Sequence, residues 1–389
     1  MSGAQQAWLV AWALALVPAC FHPSYNRPAC GTNGECPDGL TCSTQRICEL
    51  PGSVIIDASN VADARSVPDA SIADDASVDA APSQPATSCL GLAMTCGASG
   101  NDSCCTSLAV PGGTYFRSYD KAGDGGSGDM SSPATISSFR LDKYEVTVGR
   151  LRAFVNAEIG MGTQANPPMA GAGARANIAM SGWDASWNAS LAANTAALTA
   201  DVKCSATFQT WTDTAAANEN RPMNCITWFE AMAFCAWDGG FLPTEAEWNY
   251  AATGGDEQRA YPWSNPAADL TTLDGMHASY IDGTNCVGDG MAGCQVTDLV
   301  AVGTKPAGDG RWEQSDLAGN VFEWVLDWYA SPYETTCTNC ADTTPASYRM
   351  VRGGSFDDVV TYLRAGYRFN YTTPVNRSVT LGLRCARTP

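Results

Sequence analysis

The sequence has 389 residues, 22 basic and 40 acidic side chains, and a formal net charge of −18. That balance argues against a nucleic-acid partner, whose affinity rests on Lys and Arg neutralising phosphates, and against adhesion to an anionic lipid surface. The only histidines are His22 and His277, too few for a His triad or a multi-His metal centre, and 17 cysteines point to an oxidising compartment.

In chain order, the first feature is an apolar run from Ala7 to Ala19 that stops at Cys20. It is too short to span a hydrocarbon core of ~30 Å and suits the apolar region of a secretory signal. Val17-Pro18-Ala19-Cys20 resembles a bacterial lipobox. This predicts residues 1–19 as a signal peptide, Cys20 as a lipidated first residue, and a cell-envelope protein that meets the membrane through its lipid anchor alone. An ordinary, unlipidated signal is the alternative. Lipidating one of the 17 cysteines leaves an even number for disulfides.

Residues 20–50 form a small Cys-rich module in which Cys30, Cys36, Cys42 and Cys48 recur at a spacing of six. So short a segment with so few core formers needs staples. Two disulfides are expected, in any of three connectivities. A zinc site is the alternative, but the paired C-x2-C knuckles of zinc ribbons are missing. Residues 51–88 are Ala, Ser, Asp and Pro without aromatics, a composition that cannot offset its ordering entropy. They are expected to be a disordered acidic linker.

From Cys89 the aromatics and glycines gather, and residues 89–389 read as one domain. Cys89, Cys96, Cys104 and Cys105 predict two local bridges at its start. A helix is expected after Thr147, with Leu151, Phe154 and Val155 inward. A second opens on the capping box Thr227–Glu230 and stops at Gly239-Gly240, with Trp228, Met232 and Cys235 on one face. A third opens on the box Thr244–Glu247. Short strands are expected at Phe139–Lys143, Phe322–Trp328 and Met350–Arg352. Few helices, short strands and many glycines describe an irregular α+β domain rather than a doubly wound sheet. Cys286–Cys294 and Cys204–Cys225 are loop bridges by proximity and elimination. Cys337–Cys340, a C-x2-C pair in a Thr- and Asn-rich loop, reads as structural rather than redox-active. Trp211, Trp228, Trp237, Trp248, Trp263 and Trp324 read mostly as core, with an aromatic groove for peptide or glycan as the alternative use.

Several words occur together and in order: "VPGGTY", "FRLDKYEVT", "ITWFEAMAFCAW", "FLPTEAEWNYAA", "YPW", "DLAGNVFEWVLDWY", "VRGGSF" and "LGLRCA". From Leu108 to Arg387 the chain resembles the sulfatase-modifying-factor family, whose founding members are formylglycine-generating enzymes. The resemblance implies an irregular, disulfide-rich C-type-lectin-like α+β fold and a disulfide between Cys235 and Cys385. It also implies oxidation of a protein cysteine with O2 and a copper ion held by two cysteines just after the position of Gly353-Gly354-Ser355. Copper(I) favours thiolates. Here that region reads "FDDVVTYLRAGYR" and holds no cysteine. Phe322 stands for a tryptophan of the family site and Thr380 for an asparagine, while Ser355 and Arg368 match.

Asp357 and Asp358 are hard ligands that suit copper poorly. Iron relatives of the ergothioneine type need several histidines. Copper is therefore not expected. "DLAGNVFEW" resembles the family's calcium loop and implies a structural Ca²⁺ on Asp316, the carbonyls of Gly319 and Val321, and Glu323. No catalytic residue is assigned. Phe322, Ser355 and Arg368 are the expected ligand-binding residues. The expected function is a non-oxidase binding module for peptide, protein or glycan. The alternative is a formylglycine-generating-type oxidase with an altered site.

Overall fold

The computed structural model describes residues 86–123, 129–157, 160–333 and 336–389, apart from the side chains at 370 and 371, plus one short backbone ladder near the N-terminus. The expected signal segment, Cys20, the pairing within 20–50 and the linker up to residue 85 lie outside the described residues; the last three residues assigned to the linker, 86–88, are ordered, with Ser88 buried and its amide donating to Asp238. The chain divides into two units, Met1–Ser77 and Val78–Pro389. In the first, β1 (Thr41–Cys42) pairs antiparallel with β2 (Cys48–Glu49). No helix among the described residues is long and apolar enough to cross a membrane.

The second unit opens on β3 (Ser107–Val110), β4 (Gly113–Phe116), β5 (Pro133–Ile136) and β6 (Phe139–Asp142). Four α-helices follow among the described residues: α1 (Val148–Ala157), α2 (Thr195–Asp201), α3 (Trp228–Trp237) and α4 (Glu245–Ala252). The remaining strands are β7 (Ile281–Asp282), β8 (Asn285–Cys286), β9 (Phe322–Trp328), β10 (Cys337–Thr338), β11 (Arg349–Arg352), β12 (Phe369–Thr372), β13 (Leu381–Gly382) and β14 (Ala386–Arg387). The central sheet has the order β12-β11-β9-β13, flanked by the small sheets β10-β5-β4 and β14-β6-β3. This is an irregular, disulfide-rich α+β fold, in which long loops are tied to short elements.

Both capping boxes form. Thr227 accepts from the Glu230 amide while Glu230 accepts from that of Thr227, and Thr244 and Glu247 do the same. Each satisfies two otherwise orphaned amides at a helix start that is buried from water. The glutamates then serve twice, because Arg377 pairs with Glu230 and Arg175 with Glu247. Helix α2 escapes the sequence patterning; Asn194 caps it through the Ala197 amide, and its only buried residue is Leu198.

Strand β9 organises the core. Successive side chains of a strand point to opposite faces. Phe322, Trp324 and Leu326 pack with α1 and α3 against Leu151, Phe154, Trp228, Met232 and Phe234. Val325 packs on the other side with α4 residues, Met350 and Leu317. Both faces of one strand are thus inside the protein, as in a two-sided core.

Six disulfides join all the cysteines from Cys89 onward: Cys89–Cys105, Cys96–Cys104, Cys204–Cys225, Cys235–Cys385, Cys286–Cys294 and Cys337–Cys340. The bridge from Cys235 to Cys385 spans 150 residues and ties α3 to the C-terminal segment. A buried tetrad works beside it. Arg150 lies 3.0 Å from Asp142 and 2.6 Å from Asp238, and Arg387 repeats both contacts at 3.0 and 2.6 Å. Two guanidinium groups balance two carboxylates there, which removes the main cost of burying charge.

Candidate functional site

The site begins at Gly353 and Gly354, with φ of +99° and +74°. A Cβ on Gly354 would come within 2.9 Å of Leu363, so both conformation and space require glycine here. The turn leaves β11 and delivers Ser355, Asp357 and Asp358. Ser355 is buried, and its hydroxyl donates to Asp358. Asp358 and Asp357 reach a pocket of ≈ 270 Å³, with Phe322, Phe369, Thr372, Asn376, Ser378, Thr380 and Leu381 forming its other walls.

Strand pairing builds those walls. Parallel pairing of β13 with β9 sets Leu381 opposite Phe322, and the Phe322 amide donates to the Thr380 carbonyl at 2.8 Å. The Phe322 and Phe369 rings meet at 5.1 Å. Burial above all, with the neighbouring Asp357 charge, pushes the Asp358 carboxyl up to about 6, although the Ser355 hydrogen bond works the other way. Burial also raises Asp357. The pocket therefore gains negative charge through mildly acidic pH. Its lining side chains are carboxylate, hydroxyl, amide and hydrocarbon, with no sulfur.

Of the expected ligand-binding residues, Phe322 lines this pocket and Ser355 supports it from behind Asp358. Arg368 does not join them. It pairs with Glu245 at 2.7 Å, donates to the Ala330 carbonyl at 2.9 Å, and lies over the rings of Tyr329 and Tyr333. The reason is strand geometry: Phe369 opens β12 facing the pocket, so its neighbour Arg368 faces the opposite way. There Glu245 also meets Arg352 at 2.8 Å, and the two guanidinium groups hold its carboxyl well below the usual range despite burial. Arg368 belongs to this scaffold network. Phe369, Thr372, Asn376, Ser378 and Leu381 were not singled out in the sequence; Thr380 was the one signal pointing to their segment.

The expected calcium loop is similarly rearranged. Asp316 is buried, accepts from the Gly303 amide at 2.6 Å, and is pushed up to about 6, chiefly by burial. Glu323 is paired with an arginine. Its two oxygens accept from Arg384 at 2.6 and 2.7 Å, and Trp248 Nε1 donates to one of them at 2.7 Å. Alternation along β9 turns Glu323 toward α4, where these partners lie. The carboxylate beside the loop is Glu145, which accepts from Asn320 Nδ2 at 2.7 Å and from the Val321 amide at 3.2 Å. Burial first, then Asp316 and Glu323, raise Glu145 well above its ordinary value.

Among the described residues, Arg384 is the only cation within ion-pair distance of these three buried carboxylates. The Asn320 side-chain oxygen is buried without a partner. A divalent cation fits the charge shortfall and the hard oxygen donors. Asp316, Glu145 and the Asn320 oxygen would hold it with backbone carbonyls such as those of Gly319 and Val321. Glu323, also in the expected ligand set, is paired with Arg384 here.

These features define a disulfide-braced, irregular α+β domain whose pocket is walled by the turn after a Gly-Gly pair and by two pairing strands. The family described as the sulfatase-modifying factor enzyme 1-like domain matches residues 95–389. The chain belongs to that family. It is 32% identical over 182 residues to the formylglycine-generating enzyme of Thermomonospora curvata, covering 44% of this chain and 56% of that protein. To the Streptomyces coelicolor enzyme of the same name it is 29% identical over 306 residues, covering 72% and 88%. It is also 28% identical over 186 residues to the hercynine oxygenase of Mycolicibacterium smegmatis, covering 43% and 37%. The chain thus spans about half the length of the first of these relatives. Among solved structures it is similar to PvdO from Pseudomonas aeruginosa, at 19% identity and a TM-score of 0.48 over 73% of this chain and 94% of that one.

Proposed function

We propose that this domain is a binding module of the sulfatase-modifying-factor family rather than a copper oxidase, and that its Phe322–Asp358 pocket takes a basic side chain of a peptide or protein. One observation carries the reading: the pocket offers only carboxylate, hydroxyl, amide, aromatic and aliphatic groups, while every cysteine from Cys89 onward is committed to a disulfide. Copper(I) chemistry needs thiolates. Two adjacent carboxylates flanked by two phenyl rings instead suit an ammonium or guanidinium group on an aliphatic stem.

Purified domain should take up no stoichiometric copper or iron and should leave a Cys-x-Pro-x-Arg peptide unconverted. The same peptide with serine in place of cysteine should bind, and should bind more weakly at pH 5 than at pH 7.5. Stoichiometric copper together with conversion of the cysteine would establish the altered-site oxidase instead. Export is part of the proposal: six disulfides need an oxidising compartment, and Ala7–Ala19 followed by Cys20 supports lipid anchoring in the envelope. Acyl mass on Cys20 of membrane-extracted protein is the direct check.

A further inference from the structure

At the other end of β9 lies a second, larger cleft of ≈ 490 Å³, within the ~300–1,000 Å³ range of small-molecule sites. Leu326 and Trp328 of β9 and Arg349 of β11 form one side. The segment from Gly171 to Trp187 forms the other. The cleft shares no residue with the Phe322 pocket.

Arg349 is its unusual member. It is only 2% exposed, and its guanidinium is sandwiched between two indoles, 3.5 Å from the Trp228 ring centre and 3.7 Å from that of Trp328. Arg150, Arg352, Arg364, Arg384 and Arg387 each meet a carboxylate within ion-pair distance. Arg349 meets none among the described residues; Asp327 and Asp342 act on it only from farther off. Its Nη1 donates to the Leu326 carbonyl at 2.5 Å. Its Nε is buried without a partner, and Nη2 makes no hydrogen bond to a described residue.

Nε and Nη2 form one edge of the guanidinium plane, the edge that grips a carboxylate through two parallel hydrogen bonds. Burial without an anion depresses Arg349 to about 9, so an arriving carboxylate would relieve a real cost. The rest of the cleft completes the chemistry. Trp187 and Trp328 are half-buried and keep part of their rings open. Asp184, Ser186 and Thr343 bring polar groups to the wall.

We infer that this cleft binds a carboxylated sugar, its carboxylate held side-on by Nε and Nη2 of Arg349 and its ring lying against the indoles of Trp187 and Trp328. Flat CH faces suit the indoles, hydroxyls suit Asp184, Ser186 and Thr343, and the single buried cation selects the acid.

The test titrates the purified full-length protein with digalacturonate, its methyl ester, and benzoate, followed by tryptophan fluorescence. Digalacturonate should bind at least about tenfold more tightly than the ester, the step set by losing a charge-assisted pair. Arg349→Lys keeps the charge but not the paired edge and should erase that preference. Ser186→Trp, at an exposed position on the wall, should block binding with far-UV circular dichroism and melting temperature unchanged; it carries the test if the Arg349 variant does not fold. Equal binding of acid and ester, benzoate binding as tightly as the disaccharide, or no binding at millimolar ligand would each overturn the inference.

Discussion

The two ends of β9 make opposite sites from one strand. At the Phe322 end the walls are acidic, the rings are phenyl groups, and the local charge rises with pH. At the Trp328 end the rings are indoles and the buried charge is a guanidinium. A strand buried on both faces fixes register tightly, because a slip of one residue would exchange core and polar positions along its whole length. The difference between the ends therefore comes from what each neighbour brings: β13 and the Gly-Gly turn at one, β11 and the loop before Trp187 at the other.

Arg384→Met should break the comparison altogether. It would leave Glu323 buried beside Trp248 with no cation, at a cost of ~3–5 kcal/mol. Urea unfolding should show that loss, and ligand binding at both ends should weaken together, since β9 anchors both. Retention of full stability would show that the Arg384–Glu323 pair contributes little to register.

Calcium gives the next largest effect and tests the loop that leads into the Phe322 end of β9. Millimolar Ca²⁺ should raise the melting temperature at pH 7.5, and chelation should lower it, with Asp316→Ala abolishing the response. Acid should partly substitute for the ion. Asp316 carries a folded value of about 6 against an ordinary value near ~3.9, so the fold favours its protonated form. That contribution is full below pH 4 and is lost as pH rises through about 6. A melting temperature indifferent to Ca²⁺ in wild type would remove the ion from the account.

Asp358→Asn sharpens the contrast, because it should alter the acidic end alone. Asp358 is also raised to about 6, so its protonated form is favoured and its contribution likewise fades from pH 4 to above 6. The amide keeps the neutral shape. The variant should gain ~1–2 kcal/mol at pH 7.5 and nothing at pH 4, while losing the pH dependence of basic-peptide binding. An unchanged pH profile would mean that another group governs the pocket.

The smallest effect belongs to a position outside both sites. Thr244→Ala removes the α4 cap and should cost ~1 kcal/mol, with ligand binding at both ends unchanged. A larger loss would mean that the cap also orders Glu245 and its two arginines.

Local signals carried much of this molecule in the sequence. The boxes at Thr227 and Thr244 mark helix starts because a side chain three residues away answers the backbone directly. The β9 segment was legible end to end as Phe322–Trp328. The pairing Cys286–Cys294 followed from proximity and elimination, and Cys337–Cys340 from its C-x2-C spacing in a polar loop. Cys89, Cys96, Cys104 and Cys105 announced two bridges but not their nesting as Cys89–Cys105 and Cys96–Cys104. That Arg368 faces Glu245 and that Glu323 faces Arg384 were not legible, because a matching motif gives a position in the chain while strand alternation decides the face.

By itself the sequence determined composition, helix starts, the family words and the missing cysteines of the copper motif. These depend on residue identity or on neighbours within a turn. Only the tertiary structure decided which carboxylates lie together, which arginines meet a carboxylate, and that Arg349 meets none among the described residues. Those outcomes depend on residues such as Glu145 and Glu323, or Leu326 and Arg349, that are distant in the chain and meet only when β9 is enclosed from both sides.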